Sequence, residues 1–296
     1  MTLNEAQHSL AESLATIYDR REASNIANLV MEKVTGMGRQ HRLKYREYVV
    51  LPTQQAALIH IVNQLIQHRP VQYVLEEAWF YGMPLFVNEN VLIPRPETEE
   101  LVAWILKDVQ HDRTTGEACS AMAGNPVILD IGTGSGCIAI SLKKNIPDSN
   151  VFAIDVSEKA LNVARKNALD QQCPIQFLNT DFLNPEQSAT LGRFNIIVSN
   201  PPYIPKKDKA EMQKNVLEHE PHTALFVENN NPLLFYSAIA AFAEQHLLSN
   251  GCIYLEIHES MAEAIRQLFT GSIFSSVEVR QDMQGKDRMA KVRKIS

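Results

Sequence analysis

The chain has 296 residues, 45% of them hydrophobic, and a formal net charge of −6. This composition allows a sizeable buried core and excludes general disorder. A protein whose main partner is a nucleic acid backbone usually carries a basic surface, so the acidic balance disfavours that class and favours proteins or small molecules as partners.

The cysteines and the hydropathy pattern bear on the compartment. Cys119, Cys137, Cys173 and Cys252 are widely spaced and form no C-x-x-C pair, which is typical of free thiols in a reducing environment. Residues 1–10 lack a basic segment followed by an apolar one, and no apolar run approaches the ~18 residues of a membrane span. We therefore expect a cytoplasmic protein without a membrane segment.

The N-terminal part of the chain has a helical pattern. Apolar residues at helical spacing predict a helix over residues 23–34 that stops at Thr35-Gly36. They predict another that begins at Pro52-Thr53 and ends before Pro70. Such stripes normally face a core, and nothing here indicates catalysis. We expect residues 1–76 to form a small helical domain.

The pattern changes after residue 77. Strand formers dominate residues 78–93, and Gly82-Met83-Pro84 supplies a turn, so a β-hairpin over residues 77–94 is predicted to join two domains. A helix over residues 97–109 follows, with acidic residues in its first turn. The polar stretch over residues 111–125 predicts a surface loop.

Strands and helices alternate from residue 126 onward, which is typical of parallel strands with helices on both faces. The predicted strands cover residues 126–131, 151–156, 175–179, 194–198 and 251–257, and the predicted helices cover residues 136–145, 158–171 and 232–248. Two more strands are predicted over residues 275–280 and 289–294, and we expect them to form an antiparallel pair at one sheet edge.

A glycine-rich turn connects the first of these strands to its helix. Its residues are Gly132, Thr133, Gly134, Ser135 and Gly136, and Asp130 stands two positions earlier. Glycine lets the backbone turn sharply and approach a ligand closely, and a helix N-terminus then faces that ligand. A dinucleotide site favours G-x-G-x-x-G, whose last glycine would fall at Cys137. The G-x-G-x-G form resembles class I methyltransferases. In that family the turn packs beside the methionine part of S-adenosylmethionine, and the acid helps to hold its ammonium group.

Two acidic residues follow the next two predicted strands. Asp155 lies where a carboxylate can accept hydrogen bonds from both ribose hydroxyls, which indicates a nucleoside ligand without choosing between a dinucleotide and S-adenosylmethionine. Asp181 can accept from an adenine amino group, while Phe182 packs on the ring.

The sequence Asn200-Pro201-Pro202-Tyr203 follows the fourth predicted strand, at the edge where open α/β sheets bind ligands. An amide or aromatic amine nitrogen is a poor nucleophile, because its lone pair is delocalised. Its two N–H groups need two fixed acceptors, which the side-chain carbonyl of Asn200 and the backbone carbonyl of Pro201 can supply. The prolines stiffen the loop, and Tyr203 offers a flat face. This pattern predicts methyl transfer to a planar nitrogen through positioning and electrostatics, without a strong base.

With these motifs the chain resembles the peptide chain release factor glutamine methyltransferases, the HemK/PrmC family, over nearly its full length. The supporting segments are Arg69-Pro70-Val71-Gln72-Tyr73, residues 80–87, Ile93-Pro94-Arg95-Pro96-Glu97-Thr98-Glu99, Glu220-Pro221 with Ala224-Leu225, and Asp287-Arg288. The chain departs from the family pattern at Glu76, where relatives often have glycine, and at Phe182, where some members have tryptophan.

The resemblance implies an α/β fold. A class I methyltransferase Rossmann-like sheet, mostly parallel with an antiparallel last strand, is expected over residues 95–296, joined by the hairpin to the small N-terminal helical domain. It also implies S-adenosylmethionine-dependent methylation at N5 of the glutamine in the Gly-Gly-Gln loop of class 1 release factors, which the N-terminal helices bind. By matching positions, Gly132 to Gly136, Asp155, Phe182 and Asn200 contact the cofactor, and Asn200 to Tyr203 hold the glutamine.

Three alternatives stay open at this point. A sister enzyme that methylates a glutamine of a large-subunit ribosomal protein shares the same motif, although the segment over residues 93–99 favours the release-factor branch. A DNA amino-methyltransferase would need a basic DNA-reading region, and the only basic cluster near the motif is Lys206, Lys207 and Lys209. The third alternative, an inactive binding module, is disfavoured by the intact Asn200 and the intact glycines.

The histidines give no indication of a metal centre. His219, His222 and His258 form no metal-ligand spacing with the cysteines, so we expect no metal. We also expect a monomer that contacts neither nucleic acid nor a membrane directly.

Overall fold

The structure is a computed structural model and describes residues 1–115, 125–271, 273–275 and 277–295. Its α-helices are, in chain order, α1 (Leu3–Leu14), α2 (Arg20–Thr35), α3 (Arg39–Lys44), α4 (Pro52–Leu65), α5 (Val71–Leu75), α6 (Pro96–Thr115), α7 (Cys137–Asn145), α8 (Glu158–Asp170), α9 (Pro185–Ser188), α10 (Lys214–His219), α11 (His222–Leu225), α12 (Leu234–His246) and α13 (Ala262–Leu268). Its strands are β1 (Ala78–Phe80), β2 (Met83–Leu85), β3 (Val127–Ile131), β4 (Asn150–Asp155), β5 (Gln176–Asn179), β6 (Phe194–Ser199), β7 (Ile204–Pro205), β8 (Phe226–Val227), β9 (Leu247–Glu256), β10 (Glu278–Gln281) and β11 (Asp287–Arg293).

The chain divides into two compact units. One consists of Met1–Glu77 together with Gln213–His219, and the other consists of Ala78–Met212 together with Glu220–Ser296. A short segment of the C-terminal half therefore belongs to the N-terminal helical unit. The sequence pattern does not indicate this, because neither a breaker nor a composition change marks the segment.

The N-terminal unit is helical, as predicted. The first predicted helix is α2 and ends at Thr35, and the second is α4 and begins at Pro52. Their apolar stripes meet those of α1 in one core, in which Leu14, Met31 and Leu65 are fully buried. Helices α1, α3 and α5 lie in the same N-terminal stretch, for which the sequence pattern predicted helices without giving these three their own bounds.

The predicted hairpin is present but its turn lies one residue earlier than expected. Strands β1 and β2 pair antiparallel with Phe80 opposite Met83, so Tyr81 and Gly82 form the turn. Both turn residues have positive φ, 48° and 74°, which matches the two-residue turn whose twist suits a hairpin. Pro84 therefore lies inside β2, although the sequence pattern predicted it in the turn. The strand character of residues 91–93 is not realised, because β2 ends at Leu85.

The central sheet confirms the predicted fold class. Its strand order is β10-β11-β9-β6-β3-β4-β5. Strands β9, β6, β3, β4 and β5 are parallel to one another. Strand β11 runs antiparallel to β9 and lies between it and β10, so the predicted antiparallel C-terminal pair is confirmed at one edge.

Helices cover both faces of this sheet, as the alternating pattern predicted. Neighbouring strand residues point to opposite sides: Ile128 joins a core with α6 and α7, and Leu129 joins a second core with α12 and α13. In β6 the residues Ile196 and Ile197 divide in the same way. All residues of β6 are buried, as expected for a central strand of a parallel sheet.

Helix α6 is longer than predicted and replaces the start of the expected loop over residues 111–125. The sequence contains no glycine or proline between Glu97 and Gly116, so nothing interrupts the helix until Thr115. Arg113 in its last turn forms an ion pair with Asp148 at 2.7 Å. Residues 116–124, including Cys119, lie outside the described part of the chain.

The other cysteines, Cys137, Cys173 and Cys252, are free thiols. No helix in the described ranges is both long and apolar enough to cross a membrane.

Candidate active site

The carboxyl ends of the parallel strands bring the predicted site residues to one edge. In the sheet register Ile131, the last residue of β3, pairs with Ser199, the last residue of β6. The Ser199 hydroxyl also donates to the Ile131 carbonyl at 2.8 Å. The glycine turn and the Asn-Pro-Pro-Tyr loop therefore leave the sheet side by side, since each begins at the next residue of its chain.

The glycine turn has the backbone conformation that its composition predicted. Gly132, Gly134 and Gly136 have φ values of 72°, 55° and 82°, a region that other residues rarely adopt. A Cβ atom on Gly132 or Gly134 would meet nothing within 4 Å. A Cβ atom on Gly136 would lie 3.2 Å from the Ala164 Cβ of α8. The first two glycines thus keep one side of the turn open, and the third allows α7 and α8 to pack closely.

Asp130 is buried at the end of β3 and is incompletely hydrogen-bonded. Its Oδ2 accepts from the Thr133 hydroxyl at 2.6 Å, whereas its Oδ1 has no hydrogen-bond partner among the described residues. Burial raises the pKa of Asp130 to about 7, and the hydrogen bond from Thr133 opposes that effect. A buried carboxyl oxygen without a partner is costly, and a cationic group beside it would remove the cost.

The next strand carries Asp155 at its end, as predicted. Its Oδ2 accepts from the Gly134 N–H at 3.0 Å, and its Oδ1 accepts from the Ser157 N–H at 2.9 Å. Burial raises the pKa of Asp155, and these backbone hydrogen bonds counteract the rise. The carboxylate therefore ties the glycine turn to β4, and each oxygen keeps a lone pair for another donor.

Asp181 and Phe182, the residues predicted to contact the adenine, follow β5. The Asp181 Oδ1 accepts from the Leu183 N–H at 3.0 Å, which stabilises a local turn. Phe182 is only 7% exposed and packs edge-on against Phe242, with ring centroids 5.3 Å apart. Most of the Phe182 side chain is thus part of the core, and little of its surface is left to face a ligand.

The Asn-Pro-Pro-Tyr loop is held by hydrogen bonds at both ends. The Asn200 side chain donates through Nδ2 to the Thr98 hydroxyl at 3.2 Å. The Tyr203 hydroxyl donates to the Glu256 carboxylate at 3.1 Å. Pro201, between them, is buried. The loop is therefore anchored through two of the side chains that the sequence pattern selects.

Thr98 and Glu256 are site residues that sequence reasoning missed. The Thr98 hydroxyl donates to Glu256 Oε2 at 2.6 Å, and both side chains are buried. Burial raises the pKa values of Glu256 and Tyr203. Thr98 lies in the proline-rich segment over residues 93–99, and Glu256 lies one residue before the end of the predicted strand over residues 251–257. An acid at the carboxyl end of an apolar strand was the available signal.

Asn167 on α8 is a third missed residue. Its Nδ2 donates to the carbonyls of Phe86 and Ser135, both at 2.9 Å, and its Oδ1 accepts from the Phe86 N–H at 2.7 Å. Asn167 is buried, so one side chain satisfies three backbone groups. It links the glycine turn to the segment after the hairpin, a pairing over 81 residues of sequence that periodicity does not reveal.

An ion pair to a buried carboxylate fixes the proline-rich segment. Arg95 lies 2.6 Å from the carboxylate of Glu220, which is buried, and the same carboxylate accepts from the Ile93 N–H at 3.2 Å. A buried carboxylate needs such partners, and this one draws the segment over residues 93–99 against Glu220-Pro221. Both segments can be selected from the sequence, but only the fold brings them together.

The basic cluster after the motif is partly neutralised. Lys206 forms an ion pair with Glu228, and Lys209 lies over the Phe226 ring at 4.5 Å from its centroid. Within the described ranges, no group of three or more histidine, cysteine or acidic side chains is placed to hold a metal ion.

Two family patterns and several proteins of known sequence match the chain. Residues 3–75 match the PrmC N-terminal domain family, and residues 118–225 match the Methyltransferase small domain family. The release factor glutamine methyltransferase of Flavobacterium psychrophilum is 42% identical over 99% of both chains. The protein of the same name from Bacteroides thetaiotaomicron is 36% identical over 97% of this chain and 98% of its own.

Among solved structures, the hMettl16 catalytic domain in complex with MAT2A 3′UTR hairpin 6 resembles the chain with a TM-score of 0.54. The match covers 82% of each chain at 14% identity, so it reports on the fold alone.

We predict that Asn167→Ala lowers the free energy of unfolding by about 2–4 kcal/mol, because it leaves buried backbone groups of Phe86 and Ser135 without partners. Urea denaturation measures this loss. Asn162→Ala is the matched control, because Asn162 lies on the same helix but is exposed. Equal stability of the two variants would show that the Asn167 hydrogen bonds are not needed.

A second prediction concerns pH and uses the ligand-free protein. The Asp130 pKa is about 7 in the folded protein, against an ordinary value of 3.8, so the folded state binds the proton more tightly than the unfolded state does. The free energy of unfolding should therefore fall as pH rises from about 4 to 7. Asp130→Asn removes this contribution, and the difference between wild type and variant should change by about 2–4 kcal/mol across that window. Parallel stability curves for the two proteins would contradict the raised pKa.

Proposed function

This chain belongs to the release factor glutamine methyltransferase family, and we propose that it methylates N5 of the glutamine in the Gly-Gly-Gln motif of class 1 peptide chain release factors. Its cofactor is S-adenosylmethionine, and it is a protein glutamine methyltransferase. The reaction needs one enzyme chain and one release factor, without nucleic acid or membrane. It takes place in the cytoplasm, where translation ends.

One observation carries the assignment of the site. The glycine turn and the Asn-Pro-Pro-Tyr loop start from paired residues of adjacent parallel strands, Ile131 and Ser199. Adjacent strands lie ~4.8 Å apart, so a group bound at the turn and a group bound at the loop are close enough to react. Ligands of open α/β sheets bind at this edge.

The residues around the turn fit S-adenosylmethionine. Asp130 Oδ1 is a buried acceptor without a partner among the described residues, which suits the ammonium group of the methionine part. The open side of Gly132 and Gly134 leaves room for backbone approach. The cofactor supplies the reactive group, a methyl carbon on a positively charged sulfur.

Asp155, Asp181 and Phe182 are proposed to hold the nucleoside part. Each Asp155 oxygen retains a lone pair for a ribose hydroxyl beyond its backbone hydrogen bond. The Asp181 Oδ1 accepts from the Leu183 N–H, so Oδ2 is the oxygen proposed to accept from an adenine amino group. Phe182 is 7% exposed and contributes a smaller surface than an open aromatic face. Thr133 and Ser135 complete the cofactor side of the turn.

The loop residues are proposed to hold the substrate amide. The carboxamide oxygen of Asn200 and the backbone carbonyl of Pro201 accept the two N–H groups of the glutamine side chain. These contacts favour loss of planarity at the nitrogen and aim its lone pair towards the cofactor side. Pro202 keeps the loop rigid, and Tyr203 packs against the planar amide. No strong base is required, because the nitrogen becomes acidic as the new bond forms.

Residues 1–76, which form most of the N-terminal helical unit, are proposed as the release-factor-binding domain, with residues 77–94 as linker and residues 95–296 as the methyltransferase domain. The unit exposes large apolar side chains, among them Val49 at 71% and Leu51 at 58%. Exposed apolar side chains in one region often mark a protein-binding surface.

We expect the purified enzyme with labelled S-adenosylmethionine to label a class 1 release factor but not the same factor carrying alanine in place of the Gly-Gly-Gln glutamine. A large-subunit ribosomal protein serves as the competing substrate. Scintillation counting and peptide mass spectrometry identify the site. Label on the alanine variant, or on the ribosomal protein alone, would reject the proposed substrate.

The proposed docking role of the helical unit is tested by the double substitution Val49→Ser and Leu51→Ser. We expect KM for the release factor to rise about 5-fold to 50-fold, since each lost apolar contact costs on the order of 1 kcal/mol, while kcat changes little. Leu169→Ser is the matched control, because Leu169 is 78% exposed on α8. A KM equal to that of the control would exclude this surface.

A further inference from the structure

The buried carboxylate of Glu256 begins a chain of hydrogen bonds that ends at Asn200. Thr98 Oγ1 lies 2.6 Å from Glu256 Oε2, and Asn200 Nδ2 lies 3.2 Å from Thr98 Oγ1. Glu256 and Thr98 are both buried, so water does not compete for these groups. The direction of each bond follows from the chemistry of the three side chains.

An ionised carboxylate can only accept hydrogen bonds. The Thr98 hydroxyl has one proton, which it donates to Glu256, and its remaining lone pairs can only accept. Asn200 must therefore present its NH₂ group to Thr98. Its carbonyl oxygen Oδ1 is then left on the opposite side of the carboxamide, free to accept from a ligand.

This orientation matters because a carboxamide is nearly symmetric in shape. Rotation by 180° about its last torsion exchanges the oxygen for the NH₂ group at little steric cost. The substrate amide offers two N–H donors, and a rotated Asn200 would meet them with donors of its own. The Asn200 side chain alone does not favour one orientation, so a fixed neighbouring group has to select it.

The same carboxylate holds the other end of the loop. Its Oε1 accepts from the Tyr203 hydroxyl at 3.1 Å, which fixes the direction of the tyrosine ring. The Tyr236 hydroxyl donates to the Glu256 backbone carbonyl at 3.0 Å and fixes the end of β9. One buried acid thus determines the placement of both Asn200 and Tyr203, the side chains proposed to face the substrate.

The neighbours of Glu256 counteract the effect of burial on its carboxyl group. Burial raises its pKa, whereas the hydrogen bonds from Thr98 and Tyr203 and the positive charge of Arg288 lower it. Glu97 is the opposing negative charge. Burial is the largest effect and leaves the pKa raised, and the hydroxyls of Thr98 and Tyr203, each donating to one carboxyl oxygen, are the contacts that suit the ionised form.

We propose that Thr98 and Glu256 are positioning residues that orient the Asn200 carboxamide with its oxygen towards the substrate nitrogen. The proposal rests on the proposed function, because it assigns a cause to the acceptor that the substrate amide needs. It explains why an acid lies buried behind the loop. On this proposal, Thr98 and Glu256 determine that the site offers an acceptor, and hence that it prefers an NH₂ group.

The first experiment compares Thr98→Val with Thr98→Ser on full-length protein, using the release factor assay. Valine keeps the shape but lacks the hydroxyl, and we expect kcat to fall about 10-fold to 100-fold while KM for the release factor and Kd for the cofactor stay within about 3-fold. Serine keeps the hydroxyl and should restore kcat to within about 3-fold of wild type. The matched control is Thr270→Val, which removes an exposed hydroxyl that bonds the Arg266 carbonyl.

The second experiment is a double-mutant cycle with Asn200→Ala under single-turnover conditions. If Thr98 acts through Asn200, Thr98→Val added to Asn200→Ala should cause no further loss of rate. Losses that multiply would overturn the proposal, because Thr98 would then act by another route. Equal kcat for Thr98→Val and wild type would overturn it as well.

Glu256→Gln tests the other end of the chain and remains informative if the valine variant is unstable. Glutamine has one acceptor oxygen in place of two, so either Thr98 or Tyr203 loses its acceptor. We expect kcat to fall at least 10-fold with cofactor Kd within about 3-fold. Unchanged kcat would contradict the proposal. If wild type labels the release factor and these variants do so equally well, only the positioning role fails; if wild type does not label it, the proposed function fails.

Discussion

The parallel pairing of β3 and β6 is the constraint on which the site depends. It aligns Ile131 with Ser199, and each motif begins at the following residue. Both strands are central and fully covered, so a slip of one residue would turn apolar side chains towards the wrong core. The hydrophobic core therefore sets the register, and the register sets the distance between the glycine turn and the Asn-Pro-Pro-Tyr loop.

Three acids at this edge have different hydrogen-bond environments and so suit different tasks. Asp130 keeps one oxygen without a partner among the described residues, Asp155 bonds two backbone N–H groups, and Glu256 bonds two side-chain hydroxyls. An unsatisfied oxygen suits a cationic ligand, whereas a fully bonded carboxylate suits the fixing of its neighbours. Burial raises the pKa of all three, and the partners decide what each acid can do.

The segments around the sheet hold the site through long-range polar contacts. Asn167 joins the glycine turn to the chain after the hairpin, and Glu220 joins Arg95 to the segment beyond the motif loop. Each partner satisfies a backbone group or a charge that burial would otherwise leave costly. These contacts hold the loops of the site against the sheet.

The sequence alone determined the elements and the chemistry of the motifs. Apolar periodicity distinguished strands from helices, and the glycine turn, Asp155 and Asn200 could be selected because local composition restricts what such segments can do. Where predicted boundaries were wrong, local signals were ambiguous: Met83 and Pro84 follow a glycine as turn residues do, and residues 111–115 are polar but contain no helix breaker.

Only the tertiary structure decided which side chains meet. Thr98 is 158 residues from Glu256 in sequence and 102 from Asn200, and Gln213–His219 joins helices more than a hundred residues away. Such contacts depend on the register of the whole sheet and on the burial of individual polar groups, which no local pattern contains.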